Sequence, residues 1–180
     1  MTHRAGKWSA RDMTAIALMA VLMCLCTWIA VPGAVPFTLQ TFAVFAAVEL
    51  LGAQRAFWSV AVYLLMGAVG LPVFSGMTGG FGILMGQTGG YLWGFLLLPL
   101  ICRGVAAVAG QGQIVRITGM ALGMLACYGL GTAWFVFVSG GTGRSAALTM
   151  CVLPFLLPDA VKLALAVGFA GRLRKRRAIE

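Results

Sequence analysis

Few side chains in this sequence could do chemistry, and two of them stand three apart in a stretch that is otherwise apolar. Asp159 and Lys162 close the run Leu153-Pro-Phe-Leu-Leu-Pro-Asp-Ala-Val-Lys162. On a helix that spacing puts them on one face, within reach of each other. One role open to them is mutual neutralisation in a structural ion pair. The other is recognition: Asp159 accepts hydrogen bonds from ligand N–H groups, while Lys162 offers donors or a positive charge. A pair buried only for structure gains little over apolar packing, which favours a ligand. Thr38 and Gln40, and further on Thr88 and Tyr91, are further polar groups that could face a ligand. Each has a local alternative: Thr38 and Gln40 satisfying a helix start, Thr88 as an N-cap, Tyr91 in an aromatic belt.

The rest of the inventory excludes chemistry. His3 is the only histidine, so neither a His-based metal site nor a Ser-His dyad is available. Cys24, Cys26, Cys102, Cys127 and Cys151 form no CxxC pair and read as small buried apolar residues. No metal and no cofactor are expected. No G-x-x-x-x-G-K-[ST] run occurs, so the chain has no phosphate loop of its own. An enzyme would need a nucleophile–base pair, which is missing.

What must position these groups follows from composition. The chain has 180 residues, 61% hydrophobic and only 9% charged, against about 25% charged in ordinary soluble domains. There is too little polar surface to cover a soluble globule. Thirteen Lys and Arg against four Asp and Glu give a net charge of +9. The low charge density argues against nucleic acid as a partner. A helical bilayer span takes roughly 20 apolar residues, so the expected class is a small all-α integral membrane protein forming one domain over residues 1–180. Breaks at Gly, Pro and Arg suggest six transmembrane helices: about Met13 to Val31, Pro36 to Gly52, Ala56 to Leu71, Gly89 to Cys102, Ile117 to Val138, and the Pro154–Pro158 region to Gly171. The first is too long for a signal-peptide core, and no A-x-A-like site closes it.

The basic residues orient this arrangement. With both termini in the cytoplasm, the inner side receives Arg4, Lys7, Arg11, Arg55, Arg103, Arg116, Arg172, Arg174, Lys175, Arg176 and Arg177, and the outer side only Arg144. That is the excess cytoplasmic loops carry. Residues 1–11 and 172–180 become cytoplasmic basic ends, the latter also suited to anionic membrane lipid. Glu49 and Asp12 then fall at inner interfaces, where snorkelling accounts for them.

Two further expectations concern the outer side. Residues 67–94 hold ten of the 25 glycines, without a charge between Leu71 and Thr88. Such a segment suits a lid that folds back over the helices and offers its backbone to something beneath. The plain alternative is that its glycines only permit close helix packing. In the last span, Pro158 fits a first helical turn. From Pro158 to Gly171 is 14 residues, about 21 Å against a ~30 Å core. The segment Ala146–Leu157 must then dip into the outer leaflet, setting Asp159 and Lys162 at the bottom of an outward-facing cavity.

Four runs in order, Pro36-Phe-Thr-Leu-Gln-Thr41, Leu64-Leu-Met-Gly-Ala-Val-Gly-Leu-Pro-Val-Phe74, Gly79-Gly-Phe-Gly-Ile-Leu-Met-Gly-Gln-Thr-Gly-Gly-Tyr91 and Pro154-Phe-Leu-Leu-Pro-Asp-Ala-Val-Lys162, resemble the BioY family. These are the biotin-specific substrate-binding subunits of energy-coupling-factor transporters, and the resemblance covers about residues 12–171. It implies the six-helix S-component fold in a bacterial cytoplasmic membrane, with a vitamin pocket capped by the loop between the third and fourth helices. It implies that Asp159, Lys162, Gln40 and Tyr91 contact biotin together with the glycine loop, here Gly79, Gly80, Phe81, Gly82 and Gly90, and Thr38 and Thr88 join them as candidates on their own polarity and position. By its chemistry Asp159 suits the ureido N–H groups, and Lys162 suits either the ureido oxygen or the carboxylate. The implied partners are a transmembrane coupling subunit and two ATP-binding subunits, or further copies of the chain if it works alone. Two departures stand out. The family's small-xxx-small docking stripe on the first helix is broken at Ala17-xxx-Val21, with Ala20-xxx-Cys24 as a substitute, and Gln87 stands where the family commonly has proline. The same fold could carry another small vitamin, because fold does not fix ligand; a non-transporting membrane scaffold is the remaining reading.

Overall fold

In the computed structural model, which describes residues 8–33, 35–140 and 143–177, the described residues are mostly helical. His3, Arg4, Lys7 and residues 178–180 lie outside the described residues, as do the side chains of Arg144, Arg174, Arg176 and Arg177. Helix α1 (Ala10–Trp28) starts on a capping box: Ser9 Oγ accepts from the Asp12 N–H, and Asp12 accepts from the Ser9 N–H, satisfying two otherwise orphaned donors. Asp12 also pairs with Arg55 at 2.8 Å, tying α1 to α3 (Ala53–Ala68).

After α1 comes a short antiparallel ribbon, β1 (Ala30–Val31) with β2 (Phe37–Thr38), in the register Ala30↔Thr38 and Val31↔Phe37. It feeds α2 (Gln40–Leu51), which is buried on nearly every side as an all-round apolar helix must be. A five-residue helix α4 (Phe81–Met85) precedes α5 (Gly89–Ala109), α6 (Gln113–Ser139), α7 (Arg144–Cys151) and α8 (Leu153–Arg177). Helix α2 sits centrally, packing on α1, α3 and α8.

The closest pair is α5 with α6. Small residues line that seam at every fourth position, Gly90 and Gly94 on α5 facing Gly119, Gly123, Cys127 and Gly131 on α6. A Cβ at Gly94 would stand 2.6 Å from Cys127 Sγ, and one at Gly123 would stand 2.9 Å from Leu98 Cγ. Small side chains of this kind let backbones approach where no hydrophobic drive exists between helices.

Four helical stretches, Ala10–Trp28, Gly89–Ala109, Gln113–Ser139 and Ser145–Leu173, are long and apolar enough to cross a membrane. Helices α2 and α3 have 12 and 16 residues, about 18 and 24 Å, short of a full core. The described structure therefore supports a multi-pass membrane protein, with fewer full-length spans than the six expected.

The last helix corrects the expected boundary. It begins at Leu153 and runs 25 residues with Pro158 inside, about 37 Å. Pro158 lies only one turn in, so the carbonyl it leaves without a donor belongs to Pro154, in the first turn. The length argument for a dipping segment thus fails, although a separate short helix, α7, does precede α8. Glu49 is also corrected: it does not snorkel but is 3% exposed and holds Arg116 of α6 at 3.3 Å.

Candidate functional site

Helix α8 carries Asp159 and Lys162 on its inner face, 4% and 5% exposed. Their contact is 2.8 Å, from Lys162 Nζ to Asp159 Oδ1. The carboxylate is then bound from two other helices: Thr41 of α2 donates to Oδ1 at 2.8 Å, and Tyr128 of α6 donates to Oδ2 at 2.6 Å. The ammonium donates to the Thr38 carbonyl at 2.6 Å and lies 4.1 Å from the centre of the Phe37 ring, a cation–π geometry. A buried charge pair is tolerable only when its remaining hydrogen-bonding capacity is met, and here the neighbours meet most of it. Among the described residues Oδ1 takes two donors and Oδ2 takes one, leaving a single acceptor position on Oδ2.

That position belongs to a cavity of about 350 Å³, within the range of small-molecule sites. Its polar lining includes Thr38, Gln40, Thr41, Thr88, Tyr91, Tyr128, Asp159 and Lys162, set among apolar walls such as Phe74, Phe95, Met124 and Phe155. Gln40 is 4% exposed, and its Nε2 has no hydrogen-bond partner among the described residues. A buried donor left unmade costs about 1–3 kcal/mol, so this amide has a hydrogen bond to gain on a side chain that lines the cavity. Tyr91 OH shares a hydrogen bond with Thr132 at 3.0 Å, which fixes one wall of the cavity between α5 and α6.

The structure thus gathers six of the expected residues on one cavity: Asp159, Lys162, Thr38, Gln40, Thr88 and Tyr91. It does not bring Gly79, Gly80, Phe81, Gly82 or Gly90 to the wall. Phe81 is 59% exposed, and Gly79 packs on the carbonyls of Gly70 and Leu71. Gly90 packs on Trp134 and Gly131 in the helix seam, the packing role weighed for these glycines. Thr41 and Tyr128, which hold Asp159, were missed. The tyrosine inventory offered a signal, because there are only three, and each places its hydroxyl in a buried hydrogen bond.

The glycine-rich segment does reach the cavity wall, through Phe74, Ser75, Thr78 and Ile83 instead. Phe74 drops into the notch left by Gly67, where any Cβ would overlap its ring, and it stacks edge-on against Tyr63 at 5.6 Å. Tyr63 OH donates to the Val73 carbonyl. Three indoles hold the same segment by its carbonyls: Trp28 on Pro72 at 2.9 Å, Trp93 on Leu84 at 3.2 Å and Trp134 on Gly86 at 2.9 Å. Replacing Trp28 and Trp134 by Phe removes two of these bonds. Amide hydrogen exchange between residues 71 and 88 is then expected to speed up by roughly fivefold per bond, from ~1 kcal/mol each. Unchanged exchange would mean the indoles do not hold the segment.

Comparison with known proteins places this geometry. The BioY family model matches residues 1–179. A probable biotin transporter BioY of Pyrococcus horikoshii is 38% identical over 167 residues, covering 92% of this chain and 97% of its own. The biotin transporter BioY of Thermotoga maritima is 35% identical over 166 residues, with 92% and 96% covered. Among solved structures, the crystal structure of the S-component for biotin from an ECF-type ABC transporter superposes with a TM-score of 0.80 at 26% identity, covering 92% of this chain and 91% of that one. With a family model matched over nearly its whole length and a fold shared with that S-component, the chain belongs to the BioY family.

Proposed function

We propose that this protein is a biotin-specific S component, which binds the vitamin in the cavity above Asp159 and Lys162 and carries it across the cytoplasmic membrane. The observation that carries the reading is the polar lining of that cavity: Asp159, whose Oδ2 keeps an acceptor position among the described residues, and Gln40, whose Nε2 has no partner among them. The ureido ring of biotin presents complementary groups, two N–H donors and a carbonyl. In this reading a ureido N–H donates to Asp159 Oδ2. Gln40 and the ammonium of Lys162 supply donors to the acceptors, and the thioether ring and aliphatic tail lie on Phe74, Phe95, Met124 and Phe155.

The reading makes the chain a binder and carrier rather than an enzyme. It takes α2 and α3 as the remaining two of six spans, since a short central helix can complete its crossing through the β1–β2 ribbon. Both termini are cytoplasmic on the distribution of Lys and Arg, and residues 1–180 form one domain. Energy comes from ATP-binding subunits through a transmembrane coupling subunit. Ala20 and Cys24 face the protein interior, so the substitute small-residue pair is not available to dock that subunit. The exposed stripe of α1 is Ala17, Val21 and Leu25.

Thermal stabilisation of the purified chain by biotin, riboflavin and thiamine tests the ligand. Biotin alone is expected to raise the melting temperature, by mass action on the folded state. Stabilisation by either other vitamin, without biotin, would make this an importer of a different substrate.

A further inference from the structure

Helix α6 packs closely along α5, but on its other side it meets α8 only slightly. There an apolar groove of about 720 Å³ remains, walled by Leu125, Gly129, Ala133 and Val136 of α6 and by Leu148 and Val152. Among the described residues, Tyr128 and Thr132 bring the only hydroxyls to it. Both are engaged elsewhere, Tyr128 on Asp159 and Thr132 with Tyr91, so an apolar occupant strips no polar group of its partner. The groove follows α6 from Leu125 to Phe137, about 18 Å at 1.5 Å per residue. That matches one leaflet, roughly half of a ~30 Å core, whereas a docked transmembrane helix would need the full thickness. Because α6 is long and apolar enough to span the membrane, the occupant at hand is lipid.

We propose that this groove binds a single acyl chain of a membrane phospholipid, and that the chain packs on the Tyr128 ring and so supports the hydroxyl that holds Asp159. Tyr128 lines both the groove and the ligand cavity. Tyr128 is 6% exposed, so the groove reaches only a small part of its ring, and an acyl chain there adds dispersion attraction at that part. Filling the groove therefore steadies the side chain on which the carboxylate geometry depends. The acyl-chain site stands on the groove alone, and its effect on ligand affinity rests on the biotin reading above.

Gly129 provides the test, because a Cβ built there meets nothing within 4 Å. Gly129→Phe directs a ring into the groove from an open Cβ position, and Leu148→Trp, from the opposite wall, serves if the first variant does not fold. The full chain, purified in mild detergent, is supplied with palmitoyl-oleoyl phosphatidylglycerol or phosphatidylcholine and examined by native mass spectrometry. One lipid per unmodified chain is expected, with either headgroup, and its occupancy falls by roughly fivefold or more in the filled variant by competition for one site. Biotin titration of the same samples is expected to show affinity rising with lipid in the unmodified chain and independent of lipid in the variant. Equal lipid retention by both proteins, or retention of the anionic lipid only, would overturn the acyl-chain site. Retention that leaves biotin affinity unchanged would overturn the role given to Tyr128. An unmodified chain that holds lipid but never binds biotin would overturn the transport reading and leave the lipid site standing.

Discussion

Asp159→Asn is expected to weaken biotin binding by roughly 10- to 150-fold, from the ~1.5–3 kcal/mol that a hydrogen bond to a charged group carries. It should also destabilise the fold. The carboxylate is the counter-ion of Lys162 at 2.8 Å, and both groups are almost fully buried. Removing one partner strands the other charge, at about 3–5 kcal/mol. The second variant separates the two effects. Asp159→Asn combined with Lys162→Met removes both charges, so melting should return close to that of the unmodified chain while biotin binding is lost. Melting curves and titrations on the three proteins check this. A double variant that still binds biotin would reduce the pair to a structural ion pair.

The second large effect falls on the α5–α6 seam. Gly123→Leu puts a branched side chain where a Cβ already lies 2.9 Å from Leu98 Cγ and 3.0 Å from its backbone. Overpacking of this kind costs about 1–3 kcal/mol, and more when backbone must move. Here the helices must separate, and they carry opposite walls of the cavity, Thr88 and Tyr91 on one and Tyr128 on the other. A marked fall in melting temperature with a loss of monodisperse protein is expected. Gly129→Ala on the same helix is the contrast, since its Cβ has open space. Relief of glycine's chain entropy makes that change neutral or stabilising, by up to about 1 kcal/mol. Equal melting of the two variants would mean the seam is looser than the structure shows.

The residues most legible in the sequence were those whose placement costs energy. A carboxylate and an ammonium three apart in an apolar run need a reason to be there, and Asp159 and Lys162 line the cavity. Glu49 was misread because its partner Arg116 lies 67 residues away, and only tertiary structure brings a surface-looking acid inside. Pro158 was misread because a proline one turn into a helix leaves the same local pattern as a proline at its start. The glycine-rich segment illustrates a third limit. Its wall residues are set by Phe74 entering the Gly67 notch, a packing event without a signature in the glycine spacing, so the glycine run marked the segment but not the atoms facing inward. Tyr128 had no spacing at all to announce it, only its rarity.

The most direct test of the account is calorimetric titration of biotin into the purified, folded full chain, run beside the double variant Asp159→Asn with Lys162→Met. Saturable binding of one biotin per chain, absent from a double variant that melts normally, is the predicted result. A folded chain that takes up no biotin, or a double variant that binds it as tightly as the unmodified protein, would contradict it.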